Sequence, residues 1–486
     1  MANIRRNLVY NFLLSFSQVL MPLVSIPYIS RVLDPDGIGR VGFVDSFTYY
    51  FVVLAEAGIM MYGIREVAKL RDQPAALRQL VSELLTLHLI TSAVVVIVYL
   101  AGVWMLWEKI GDIRLLIFSL SFLVVNAFAC EWYFIGQERF GYIAARSMLI
   151  RVAGLLSMFL LIHEPADYYI YYAIIACSAM IAGIWNIMIL FRQTGYSWRQ
   201  VQLVKHLRRV WITYLISLLY SVPLMLDHVL LRLVSTATAV GFYSFSVRAV
   251  RVSATLVTDS FLVFFPRIVA LGSQQAMDEV QQKLRLNLQF ILLLSLPMGM
   301  GLFLLADDIA LYFFGNKFAG VGYNLRILAF FPLLKGFSLF LSNPILIAHH
   351  REVNFLRNLV IGTGLFVVAA LIAGYYDADT GICWSLLGAE LVLIGLNYRS
   401  VRRQLPQLPV TDGRTLLHGI GGVLLFIPVV LLLRYIGIDG WPFLLIAVVA
   451  CKLVYFGFLI FVVHDPFARR LWTLGISFLL KRNKHI

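Results

Sequence analysis

Residues 238–266 form an apolar stretch that nevertheless carries Arg248, Arg251 and Asp259. With Thr255 these follow an i, i+3, i+7, i+11 spacing. At 3.6 residues per turn that places all four on one narrow stripe of a helix. A charge at the centre of a bilayer helix costs at least ~2.5 kcal/mol on insertion scales, so hydrocarbon would not tolerate the stripe. It must face a wet cavity or a partner helix. Two chemistries suit it. In one, the guanidiniums hold an anion: the planar fork of arginine bonds two phosphate oxygens at once and stays charged at any working pH. In the other, Arg251 pairs with Asp259 or with an acid of a neighbouring helix and clamps the bundle.

Other charges inside apolar stretches extend the choice. Arg151 and Lys335 lie well inside their stretches, each either lining a cavity or making an internal pair. Arg146 lies one turn from the inner interface and is expected to snorkel. Lys452 is expected to pair with an acid or to snorkel. Arg31 marks the outer end of the first stretch, where it either helps release an anion or anchors the interface. Among the acids, Asp45 and Glu56 are eleven residues apart, three turns along one face. Asp227 stands beside His228, Glu131 ends the fourth stretch and Glu390 lies in the twelfth. A buried carboxylate can take up a proton or bind sodium. Glu56, Asp259, Asp227 and Asp45 are therefore candidates for ion coupling by exchange of such a cation, against the reading that they neutralise the arginines.

The elements that must hold these residues are membrane spans. The chain has 486 residues, of which 60% are hydrophobic and 14% charged, with a mean hydropathy of +0.84. A soluble protein carries about 25% charged residues. Apolar blocks of the ~20 residues needed to cross a bilayer recur along the whole chain. They fall at about 9–31, 40–62, 82–104, 114–135, 142–162, 168–191, 210–232, 238–266, 285–305, 324–348, 355–375, 380–398, 415–435 and 441–463. The expected fold is thus an all-α integral membrane protein with fourteen transmembrane helices and no catalytic module.

Lys and Arg set the orientation. With the N-terminus inside, inner loops carry roughly three times as many as outer ones, which places both termini in the cytoplasm. That asymmetry explains most of the net charge of +14, so nucleic acid is not implied. The first apolar run lacks a small-residue cleavage site and reads as a retained helix.

Several chemistries find no support. There is no Walker A pattern, no HExxH and no metal-spaced cluster, so no nucleotide motor, cofactor or metal site is expected. Cys130, Cys177, Cys383 and Cys451 all fall in spans without CxxC pairing and read as core residues. His349 and His350 close an inner loop.

A faint repeat runs through the chain. Pro22 and Arg31 recur 201 residues later as Pro223 and Arg232, and Val41-Gly42-Phe43 recurs 199 later as Val240-Gly241-Phe242. A unit of six spans would relate two lobes by an axis along the membrane normal, with a substrate site between the halves. The boundaries are 1–195 for the first lobe, 196–209 for a cytoplasmic linker and 210–400 for the second lobe. Two further spans occupy 415–463, and 464–486 is an amphipathic tail on the inner surface, beginning at Pro466. Trp198 and Val201 suit the linker to the same surface.

"IPYISRVLDPDGIGRVGF" (26–43), "YGIREVAKLRD" (62–72) and "EWYFIGQERFGYIAARSMLIR" (131–151) together resemble the polysaccharide flippases of the Wzx type. These belong to the multidrug/oligosaccharidyl-lipid/polysaccharide exporter superfamily. The resemblance implies twelve core helices in two lobes, often with two more. It implies a cargo of undecaprenyl diphosphate carrying an oligosaccharide, moved from the inner to the outer leaflet of the bacterial cytoplasmic membrane. The cargo would serve O-antigen, capsule or exopolysaccharide assembly. Membrane lipids, a proton or sodium counter-ion, and polymerase and chain-length proteins are the implied partners. For such a cargo Arg248, Arg251, Arg151, Lys335 and Arg31 are the substrate-binding candidates. A drug exporter of the same fold is the nearest rival, but its cationic cargo calls for acids rather than an arginine stripe. A sugar polymerase is disfavoured because no outer loop is long enough to hold a catalytic module.

Overall fold

A computed structural model describes the chain except for residues 1–3, 57, 197–201, 204, 207–224, 259–264, 266, 269–270, 272–276, 350, 409–410, 471 and 474–486. The described residues are helical and contain no strand. Ten helical stretches among them are long and apolar enough to cross a membrane, in keeping with the all-α, multi-pass expectation. Asp259, Pro223, Trp198, Val201 and most of the expected tail lie outside the described residues.

The chain divides into two compact units, Met1–Ser244 and Phe245–Ile486. In unit 1 the helices are α1 (Ile4–Val32), α2 (Pro35–Glu56), α3 (Ile59–Lys69), α4 (Pro74–Met105), α5 (Trp107–Ile110), α6 (Ile113–Asn126), α7 (Glu131–Gly136), α8 (Phe140–Leu161) and α9 (Tyr168–Thr194). Next comes α10 (Ala237–Thr258), which begins in unit 1 and continues in unit 2. Unit 2 adds α11 (Met277–Leu304), α12 (Val321–Leu328), α13 (Phe331–Phe340), α14 (Glu352–Gln404), α15 (Gly413–Leu424), α16 (Phe426–Tyr435) and α17 (Gly440–Gly457).

Two features depart from a simple reading of spans and loops. The basic segment after the second span is not a loop: it forms α3, which buries Ile59, Tyr62, Gly63 and Val67 on one face. The fourth span breaks at Ala127–Cys130, so that Glu131 starts a separate short helix, α7. These elements pack on each other through glycines. A Cβ on Gly63 would fall 2.8 Å from the Trp132 ring, and one on Gly136 would fall 2.7 Å from Val67. Arg71 closes the same contact, 3.3 Å from the Glu138 carboxylate and 3.0 Å from the Gln137 carbonyl it bonds. The "YGIRE" and "EWYFIGQE" motifs are thus two halves of one packed corner. Around it Leu80, Leu84, Tyr133, Phe134 and Leu190 form an apolar core.

In unit 2, α14 is a hairpin rather than one rod. Asp377 and Ala378 leave helical geometry, with Ala378 at φ +48°. A Cβ on Gly381 would overlap the Ala373 carbonyl, so only glycine lets the two arms approach this closely. The arms correspond to the spans expected at 355–375 and 380–398. Asn358 bonds Asn397 at 2.9 Å and Ser400 at 3.0 Å between them. Such buried amides must find partners within the bundle.

Four of the cations expected on the outer side pair with nearby acids. Arg40 pairs with Asp36 at 2.7 Å, Arg114 with Asp112 at 2.9 Å and Arg434 with Asp308 at 2.7 Å. Arg326 pairs with Asp307.

Candidate functional site

Helix α10 carries the charged stripe. Its alternation of small and β-branched residues with polar ones splits it into two faces. Val247, Val250, Ala254 and Val257 are buried. Arg248 and Thr255 are exposed and Arg251 is half-buried. At 100° per residue, Arg248, Arg251 and Thr255 span about 60° of the helix circumference. Arg248, Arg251 and Thr255, the described members of the stripe, therefore share an open face opposite a packed one. The hydroxyls along it turn back to the helix: Thr255 donates to the Arg251 carbonyl at 2.9 Å and Ser253 to Ala249 at 3.0 Å. Arg248 and Arg251 are one turn apart, about 4.5 Å along the axis, a spacing at which two forks can hold neighbouring oxyanions.

The remaining candidates fall into separate places. In unit 1, Arg151 donates to the Leu14 carbonyl at 3.1 Å and to the Ser17 hydroxyl, tying α8 to α1. Arg31 is exposed and bonds the Pro27 carbonyl of its own helix at 2.5 Å. Arg146 does not snorkel as expected. It is 5% exposed because Glu131, at 2.7 Å, and Asn186 offer it acceptors inside the unit. Tyr142 donates to the same Asn186 oxygen at 2.9 Å. In unit 2, the Lys335 ammonium faces Glu390 at 3.4 Å.

The acids differ in how fully they are engaged. Asp227 is fully buried and saturated. One oxygen accepts the His228 backbone N–H at 2.9 Å and lies 2.8 Å from His228 Nδ1; the other accepts the Tyr243 hydroxyl at 2.6 Å. Asp45 and Glu56 are half-buried on α2. Glu56 ends that helix, next to the break before α3.

Unit 2 also contains an apolar cavity of about 310 Å³, lined by Leu293, Pro297, Phe426, Val430 and Cys451. Lys452 is on its wall and is exposed. Among the described residues no group of three or more His, Cys, Asp or Glu could hold a metal ion.

Residues 4–271 match the family model described as "Polysaccharide biosynthesis protein", which is more than half of the chain. The chain belongs to this family. A relative from Escherichia coli (strain K12) named "Putative O-antigen transporter" is 21% identical over 410 residues, covering 82% of this chain and 97% of the relative. Among solved structures, the lipid II flippase MurJ in an inward closed conformation superposes with a TM-score of 0.73 at 13% identity, over 94% of this chain and 99% of that one. An inward-facing multidrug resistance transporter of the MATE family, in the MOP superfamily, gives a TM-score of 0.62 at 16% identity, over 80% of this chain and 95% of that one. The resemblance drawn from the three motifs is borne out, and the fold is that of this transporter superfamily. The proteins it resembles are transporters and a flippase, not enzymes.

One buried polar cluster has almost no signature in the sequence. Glu83, His206 and Tyr62 form a buried polar chain in unit 1. His206 is 123 residues from Glu83, in a segment that reads from sequence only as a basic linker. The one available signal was an acid at the very start of the third span, where an unpaired carboxylate would be costly.

Proposed function

We propose that this protein is a flippase for lipid-linked oligosaccharide, carrying a polyprenyl-diphosphate-linked sugar unit from the inner to the outer leaflet of the bacterial cytoplasmic membrane by alternating access. The observation that carries the reading is the open arginine face of α10, with Arg248 and Arg251 exposed or half-exposed midway along an apolar helix whose other face is packed.

The cargo explains the charges. A diphosphate bearing a hydroxylated oligosaccharide cannot enter hydrocarbon, whereas its polyprenyl tail is at home there. Transfer needs a wet, cationic surface at membrane depth, and guanidinium forks match a diphosphate in charge and geometry. The family membership and the name of the Escherichia coli relative support this class of cargo. Arg151, Lys335 and Arg31 are further candidates; Arg151 bonds the Leu14 carbonyl, Lys335 faces Glu390 and Arg31 bonds the Pro27 carbonyl. Drug export, the second reading, draws on the likeness to the MATE-family structure. It is disfavoured because arginines rather than acids line the open face of α10.

Energy would come from an ion gradient or the membrane potential. Glu56 and Asp45, half-buried, are more accessible to a cation than Asp227, which is fully buried with its oxygens holding three hydrogen bonds. Both termini would be cytoplasmic, and polymerase and chain-length proteins would take up the product. The test is flipping of a fluorescent polyprenyl-diphosphate oligosaccharide in vesicles of purified protein. Transfer dependent on an imposed gradient and independent of ATP is expected; transfer requiring ATP would overturn the secondary-transport reading.

A further inference from the structure

The chain leaves α9 at Gly195, which adopts φ +66°, and turns back over the basic end of α4. Thr86 and Tyr196 share a hydroxyl–hydroxyl bond of 2.6 Å, and Arg78 reaches the Tyr196 carbonyl at 3.4 Å. Leu203 packs against the apolar core that includes Leu80 and Leu84. Beyond these, one carboxylate gathers the segment. Glu83 Oε1 accepts the Gln202 backbone N–H at 3.2 Å and the Gln79 amide at 3.1 Å. Glu83 Oε2 lies 2.7 Å from His206 Nε2. On the far side of the imidazole, Nδ1 is 2.8 Å from the Tyr62 hydroxyl of α3. Glu83, His206 and Tyr62 are each 2% exposed.

We infer that Glu83 and His206, relayed by Tyr62, are positioning residues for transport: they clasp the chain at Gln202 and His206 onto α4 and α3, so that these residues move with those helices. An apolar contact alone would hold this segment without fixing its register. A carboxylate that only accepts, facing one ring nitrogen and one backbone N–H of the segment, fixes both distance and direction. The arrangement survives a change in histidine protonation, because the tyrosine hydroxyl can donate to Nδ1 or accept from it. It does not survive loss of the acceptor. Three nearby cations have partners of their own. Arg65 lies over the Tyr62 ring at 5.5 Å and pairs with Glu66, which also holds Lys69, and Arg78 serves Tyr196.

The consequence for transport rests on the flippase reading, whereas the clasp itself does not. The experiment uses the full chain in vesicles. It reads hydrogen exchange at the Gln202 and His206 amides together with flipping of a polyprenyl-diphosphate oligosaccharide, for Glu83→Ala, His206→Leu and His206→Gln. Glu83→Ala and His206→Leu should speed exchange by about tenfold, the equivalent of one lost hydrogen bond, and lower flipping severalfold. His206→Gln should keep both near the unmodified level, because its amide can donate to Glu83 and accept from Tyr62. If leucine serves as well as glutamine, the ring only fills space and the inference is wrong. Faster exchange with unchanged flipping would equally overturn the positioning role. If the unmodified protein moves no such lipid, the functional reading fails while the exchange pattern alone still decides the clasp.

Discussion

Lys335 and Glu390 face each other between α13 and α14, the ammonium 3.4 Å from each carboxylate oxygen. Glu390 is almost wholly buried and Lys335 retains 27% of its side-chain exposure. An ion pair inside a membrane bundle is costly to break from one side, because the remaining charge loses its counter-charge. Lys335→Ala should therefore destabilise the protein, by less than the ~3–5 kcal/mol of a fully buried pair given the exposure of the ammonium. Adding Glu390→Gln should recover most of the loss. Thermal unfolding in detergent checks this. A stable Lys335→Ala protein that no longer flips lipid would instead move Lys335 into the cargo path.

The first turns of α2 and α10 cross backbone to backbone within unit 1. A Cβ on Gly39 would overlap the Ala237 carbonyl, and one on Gly241 would overlap the Pro35 carbonyl. Neither obstacle is a flexible side chain that could swing aside. Gly39→Val should cost about 1–3 kcal/mol as an overpacking substitution, read as a lowered melting temperature, while Gly301→Ala, where nothing lies within 4 Å, should cost much less. Equal effects at the two sites would mean that the crossing is not close-packed.

Asp112 caps α6 by accepting the Arg114 backbone N–H at 2.9 Å, and it also binds the Arg114 guanidinium and the Tyr168 hydroxyl. Burial pushes its carboxyl up, but the bonds to Arg114 and Tyr168 outweigh this and hold it below the ordinary carboxylate range. The resulting stabilisation is present above the unfolded value, about 3.9. It is lost as pH falls through the folded value. Asp112→Ala should cost about 1 kcal/mol near neutral pH and flatten the acid limb of the stability curve. Thermal melts between neutral and strongly acid pH would show an unchanged limb if the cap contributes nothing.

The sequence made some of this visible and hid the rest for physical reasons. Spans declare themselves through length and apolarity, and the turn at Asp377–Ala378 falls between the two expected at 355–375 and 380–398 because charge interrupts the apolar run there. The stripe on α10 was legible because helical spacing alone decides which residues share a face. Helix α3 was hidden: its Arg65 and Lys69 looked like loop charges, and only the burial of Tyr62 and Val67 against α7 makes it a helix with an inside. Arg146 was misjudged for a related reason. Depth from the interface suggested snorkelling, but its acceptors Glu131 and Asn186 come from other helices, and no spacing rule brings them together.

Glu56 lies at the end of α2, half-buried, beside the break into α3. If it exchanges a cation during transport, Glu56→Gln should leave the protein folded and alter how flipping responds to an imposed proton or sodium gradient. Flipping measured in vesicles with and without each gradient separates the two ions. An unchanged response to both would return this acid to a structural role.

The central claim is that Arg248 and Arg251 hold the diphosphate of the cargo. The most direct measurement is the flipping rate of a polyprenyl-diphosphate oligosaccharide in vesicles, beside thermal stability, for Arg248→Ala, Arg251→Ala and the two Arg→Lys proteins. Each alanine variant should fold normally and flip at least about tenfold more slowly, through the loss of one or more charge-assisted bonds. Lysine should restore only part of the rate, since it keeps the charge but lacks the bidentate fork. Alanine variants that flip at the unmodified rate, or that lose activity only as they lose stability, would contradict it and place the cargo site elsewhere.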